Sequence, residues 1–84
     1  MKLIKINNAI VRSDQIESVT STFYPQDGKN PALANVCVRT LSGAWHNEDI
    51  TCKMDAPPED INDVKEWSVK KGQEIMDAMQ STLN

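Results

Sequence analysis

The sequence predicts an α+β protein, a small four-stranded antiparallel sheet followed by a long carboxy-terminal amphipathic helix packed on one face. Three observations lead there. Short runs rich in β-branched and aromatic residues occupy the first two thirds of the chain, turn signals separate them, and from Pro58 the apolar period changes from 2 to 3.6. The 84 residues suffice for one domain, 1–84, and are too few for two.

Residues 2–7, Lys-Leu-Ile-Lys-Ile-Asn, form the first expected strand, with Ile4 and Ile6 on one face. Residues 8–15 carry Asn-Asn and Ser-Asp turn signals around Ile10 and Val11, and read as a connection with at most a brief continuation of strand. Residues 16–24 are the clearest β composition, placing Val19, Ser21 and Phe23 on one face and Ser18, Thr20, Thr22 and Tyr24 on the other. An eleven-residue connection, 25–35, contains Pro25, Asp27-Gly28 and Asn30-Pro31. It is long for a hairpin loop, where roughly two to five residues are usual.

Residues 36–41 and 45–54 form the next hairpin. A tight loop around Ser42-Gly43-Ala44 makes opposite residue numbers sum to about 86. Val36 and Val38 then share an apolar face with Ile50, Cys52 and Met54, and Leu41 stands directly opposite Trp45 on the outer face. In that register Cys37 and Cys52 are some ~10–13 Å apart, too far for a disulfide or a shared zinc ion. Both are expected to be reduced thiols, which suits a cytoplasmic location.

The helix is introduced by Asp55-Ala56-Pro57-Pro58 and expected over 58–83. At 100° per residue, Ile61, Val64, Ser68, Gly72, Ile75, Met79 and Leu83 fall in one stripe, with Val69 and Met76 at its edge. Ser68 and Gly72 leave a notch in that stripe, which marks either a close approach or a kink. A helix of this length spans ~39 Å, whereas a small four-stranded sheet measures ~25–30 Å along its diagonal. The last turns are therefore expected to overhang, and Ile75, Met76, Met79 and Leu83 become candidate self-association residues of a homodimer. Tyr24, Arg39, Leu41 and Trp45 are the candidate partner- or ligand-binding residues on the outer face.

Charge and motifs restrict the function classes. The net charge is −3, and residues 48–66 hold seven acidic against two basic residues, an acidic segment that helix-dipole complementarity already explains and that could also attract a basic partner. The basic residues are dispersed, which argues against nucleic-acid binding. No apolar run has the ~18–20 residues needed to cross a bilayer. His46 is the only histidine, and no metal-ligand spacing, phosphate-binding glycine loop or nucleophile elbow occurs, so no catalytic, cofactor or metal residue is assigned.

These features point to a small non-catalytic protein that acts by protein–protein association, expected to be a homodimer and to bind an unidentified protein partner. Its size fits accessory, adaptor or inhibitor proteins of bacterial or phage type. The rival reading is a small-molecule binder with a pocket at the dimer seam, beneath the 25–35 loop and around Phe23, Trp45 and Arg39. A third is a divergent enzyme using Cys37 or His46.

Overall fold

Asn7 adopts a φ of +54°, and this one residue turns the amino-terminal segment back on itself. Asparagine tolerates the left-handed region better than most L-residues, so Asn7-Asn8 form a two-residue hairpin turn where a strand end was expected. The computed structural model describes the backbone of residues 2–83 and the side chains of residues 2–81. The chain runs β1 (Leu3–Ile6), β2 (Ala9–Arg12), a single 3₁₀ turn (Ser13–Gln15), β3 (Ile16–Tyr24), β4 (Leu33–Thr40), β5 (Trp45–Thr51) and α1 (Pro58–Leu83).

The protein is α+β with antiparallel sheets, but there are two sheets where one of four strands was expected. One is the β1–β2 hairpin and the other has the order β3-β4-β5. In the hairpin Ile4 pairs with Val11 and Ile6 with Ala9. All four therefore share one face, and that face packs on the core, while Leu3 and Ile10 on the other face are exposed. The open end of the hairpin is closed by Ser13 N–H donating to the Lys2 carbonyl at 2.9 Å and by Lys2 N–H donating to Ser13 Oγ at 2.9 Å.

In the larger sheet β3 covers the expected residues, and a bulge at Glu17 falls between the Ile16–Thr40 and Ser18–Arg39 pairs. Pairing continues to Tyr24–Leu33, so β4 begins at Leu33 and the connection shortens to 25–32. Between β4 and β5 opposite numbers sum to 84, as in Val38–His46 and Arg39–Trp45. The difference from 86 arises in the turn: Thr40 N–H donates to the Ala44 carbonyl at 2.9 Å and Gly43 N–H to the Thr40 carbonyl at 3.0 Å. The loop is therefore Leu41-Ser42-Gly43, with Gly43 at φ +90° supplying the left-handed residue that a three-residue hairpin loop needs. A slip of two residues preserves which side chains share a face, so the inner face is still built on Val36, Val38 and Ile50. It does change partners: Trp45 stands opposite Arg39, and not opposite Leu41. Strand β5 stops at Thr51, and Met54 lies exposed in the turn to the helix.

Helix α1 is uninterrupted and lies on the inner face of β3 and β4. Its notch is a close approach. A Cβ at Gly72 would fall 2.2 Å from Ser21 Oγ, and that hydroxyl donates to the Ser68 carbonyl at 2.9 Å. The expected overhang is covered in part, because the β1–β2 hairpin meets Ile75 in the core while Met76 stays 45% exposed. Ile75 is 1% exposed and joins Ile6, Val11, Ile16, Val36 and Val38 in one cluster, against which Trp67 and Met79 also pack. Burying a residue of this size stabilises by about 1.5–3 kcal/mol. Ile75 is thus a core residue of its own chain and not a self-contact.

Candidate binding surface

Helix, hairpin and core all lie against the inner face of the three-stranded sheet, and the outer face is left to the side chains of alternate residues. Strand pairing arranges them in rows: Ser18, Arg39 and Trp45; Thr20, Cys37 and Asn47; Thr22, Asn35 and Asp49; Tyr24, Leu33 and Thr51. The middle rows are polar, with Asn35 Nδ2 donating to Asp49 Oδ1. Each end row carries one exposed aromatic side chain, Trp45 at one end and Tyr24 at the other.

At one end Arg39 and Trp45 are cross-strand partners, and the guanidinium carbon sits 5.4 Å from the centre of the indole ring. Such stacking fits a planar delocalised cation on an aromatic face. Glu17 at the bulge also comes within 3.7 Å of the Arg39 guanidinium, both side chains being about half exposed. Trp45 nonetheless remains 60% exposed, and Leu41 stands exposed in the adjoining hairpin loop. Cys37 is one step along β4 on the same face and half-buried.

Tyr24 does not join this group. It occupies the opposite end of the sheet, six residues along β5 from Trp45 by pairing, or about 20 Å at ~3.3 Å per residue. There it lines a cleft of about 420 Å³ with Pro25, Asp27, Asn30, Pro31, Leu33 and Thr51. The 25–32 segment is shaped by Asp27, whose carboxylate accepts from the N–H of Lys29 at 2.7 Å and of Asn30 at 2.8 Å. These bonds, with a further one from the Asn30 side chain, favour the ionised carboxyl and hold Asp27 below its usual acidity range. Gln26 pins the same segment to the turn before the helix, exchanging hydrogen bonds with Asp55 at 2.9 Å and 2.7 Å.

The remaining expected site residues separate. Phe23 is on the inner face beneath the helix, with Lys65 Nζ 5.9 Å from its ring centre, so Phe23, Arg39 and Trp45 line no common pocket. Met76 is 45% exposed and Met79 half-buried, and the side chain of Leu83 lies outside the described residues. His46 is half-buried on the inner face opposite Val38, whereas Cys37 is on the outer face. Cys52 is at the far end of the sheet, its thiol donating to the Asp60 carbonyl at 3.4 Å, and both cysteines are free thiols. Nucleophile and base are therefore not brought together.

The acidic residues of the middle segment are largely engaged within the chain. Glu48 accepts from Asn7 N–H at 2.6 Å and Glu66 from Asn62 at 3.2 Å, while Glu59 and Asp60 occupy the first turn of the helix. Among the described residues no three His, Cys, Asp or Glu side chains gather as a metal site, and no helix is long and apolar enough to cross a membrane. The arrangement sequence reasoning missed is the Arg39–Trp45 stack. Its signal was the register, which Gly43 sets.

No protein-family model matches the chain, and no curated protein and no solved structure matches it significantly.

Proposed function

We propose that this chain is a non-catalytic binding protein that docks a protein partner on the outer face of β3–β4–β5, anchored by Arg39, Leu41 and Trp45. The observation that carries the reading is the exposed Trp45 stacked with Arg39 on a sheet face that no other element covers among the described residues. Tryptophan and arginine supply a disproportionate share of binding energy at protein interfaces. An anchor already fixed by its neighbours loses less freedom on binding than a mobile one. The two free thiols suit a reducing, cytoplasmic compartment. A second reading, a small apolar ligand in the cleft at Tyr24, Pro25, Pro31 and Leu33, is favoured by its size, since ligand pockets usually measure about 300–1,000 Å³.

The experiment is affinity capture from cell extract with wild type, Trp45→Ala and Tyr24→Ala, followed by direct titration of the captured protein. A partner retained by wild type and Tyr24→Ala should bind Trp45→Ala at least tenfold more weakly, the loss of about 1.4 kcal/mol or more expected of an anchor. Equal affinity for wild type and Trp45→Ala removes the outer-face reading. A small molecule that co-purifies with wild type and is lost with Tyr24→Ala would support the cleft instead.

A further inference from the structure

The two edges of the three-stranded sheet are treated differently. Strand β5 is guarded: His46 and Glu48 face inward, Glu48 takes the Asn7 N–H, and the β1–β2 turn abuts the strand. Inward-pointing polar groups and covering loops are the usual means of preventing strand addition. Among the described residues strand β3 has no covering loop and no inward-pointing charged group, its inner face carrying Val19, Ser21 and Phe23. Among the described residues it pairs only with β4, and it carries a single charge, Glu17, at the bulge near its start, and from Ser18 to Tyr24 is an unbroken run without charge or proline.

An exposed apolar flank of the helix lies beside that open edge. Lys65 reaches over Phe23 of β3 and Ser68 meets Ser21, while on the other side Lys71 Nζ donates to the Lys5 carbonyl of β1 at 2.9 Å. At 100° per residue Val69 and Met76 fall on the Lys65 side, above β3. They are 61% and 45% exposed. The same flank bears Asn62, Lys65 and Gln80, with Glu66, which accepts from Asn62 Nδ2, and Lys70 at its outer rim, whereas Asp63, Glu74 and Asp77 point away from the sheet.

We infer that a second copy of this chain occupies this edge: two β3 strands pair antiparallel about a two-fold axis at Ser21, making one six-stranded sheet and bringing the Val69–Met76 flanks together. Three positions agree on the axis. Ser21 is the centre of the uncharged run Ser18–Tyr24, Gly72 sits directly over Ser21, and Gly72 lies midway along the helix between Val69 and Met76. A two-fold at that point sets Val69 of each copy against Met76 of the other. The spacing agrees as well. A helix over the β3–β4 seam is about half a strand spacing, ~2.4 Å, inside β3, so pairing two edges ~4.8 Å apart puts the axes ~9.6 Å apart, within the usual 8–10 Å.

The flank from residue 62 to 80 is about 28 Å long, and with the 17 Å shortest extent of the molecule it gives roughly 480 Å² per copy. Together that is about 1,000 Å², the lower bound for a specific interface and the size of a weak dimer. An extended peptide added to β3 would satisfy the strand edge and leave Val69 and Met76 uncovered, so a second copy is the better fit.

Sedimentation of the full chain from about 10 µM to about 1 mM, joined to hydrogen exchange, tests this. The wild-type mass should rise from 9.4 kDa towards twice that, with amides of Ser18–Tyr24 exchanging more slowly as concentration rises. The double variant Val69→Asp with Met76→Asp should stay monomeric with an unchanged circular dichroism spectrum, and Trp45→Ala should dimerise like wild type, which separates this contact from the outer-face anchor. A monomer at the highest concentration overturns the inference. So does a dimer that survives the double variant with β3 amides unprotected, or protection of β3 that arises only with an added extended peptide.

Discussion

Gly72 is where the helix comes closest to the sheet, and the contact can be read in free energy. Alanine there would gain about 1 kcal/mol of helix propensity over glycine. Its Cβ would arrive 2.2 Å from Ser21 Oγ, forcing that hydroxyl aside and breaking its bond to the Ser68 carbonyl, worth about 1 kcal/mol. Gly72→Ala alone should therefore be neutral to destabilising by about 2 kcal/mol once the steric adjustment is included. In a Ser21→Ala background only the Cβ at 3.5 Å remains, an ordinary contact, and the same substitution should stabilise by about 1 kcal/mol. Urea unfolding of the single and double variants measures the coupling, and additive effects would contradict the close approach. The notch itself was legible, because Ser68 and Gly72 interrupt an apolar stripe. What fills it was not, since that depends on Ser21 arriving from a strand 51 positions earlier.

At the scale of elements, β3 and α1 were legible to the residue because each is long enough for its period, 2 in one and 3.6 in the other, to show through the bulge at Glu17 and the notch at Ser68 and Gly72. The β1–β2 hairpin was not, because two strands of four residues leave too short a pattern and Asn-Asn serves equally as a strand end or a turn. That omission produced the apparent overhang of the helix. The structure makes the hairpin the cover of the helix end, so Ile6→Ala and Ile75→Ala should each cost about 2–5 kcal/mol. Leu3→Ala and Ile10→Ala, on the exposed face of the same hairpin, should stay within about 0.5 kcal/mol of wild type. Thermal unfolding of the four variants checks this. A mild effect of Ile6→Ala would mean that the hairpin contributes little to holding the helix. The outer face follows the same logic of local signals: its polarity was legible from alternation, but the stacking of Arg39 on Trp45 turned on one glycine in the loop.

For the molecule as a whole, the two sheets share one core. The cluster takes Ile6 and Val11 from the hairpin, Ile16, Val36 and Val38 from the larger sheet and Ile75 from the helix, all within a chain 43 Å long. A chain of this size has a total stability of about 4–12 kcal/mol at ~0.05–0.15 kcal/mol per residue. Neither sheet can spare that cluster, because an isolated two-stranded hairpin is marginal in water and the helix has no other cover for its second half. Unfolding should therefore be a single cooperative transition. Trp67 packs against the core and Trp45 does not, so in a Trp45→Phe variant fluorescence follows the core alone while far-ultraviolet circular dichroism follows all elements. The two denaturation curves should superimpose, and Ile6→Ala should move both by the same amount. A fluorescence transition preceding or trailing the dichroism would show that the hairpin and the three-stranded sheet are held by separate contacts, and that the helix bridges two structures with little shared stability.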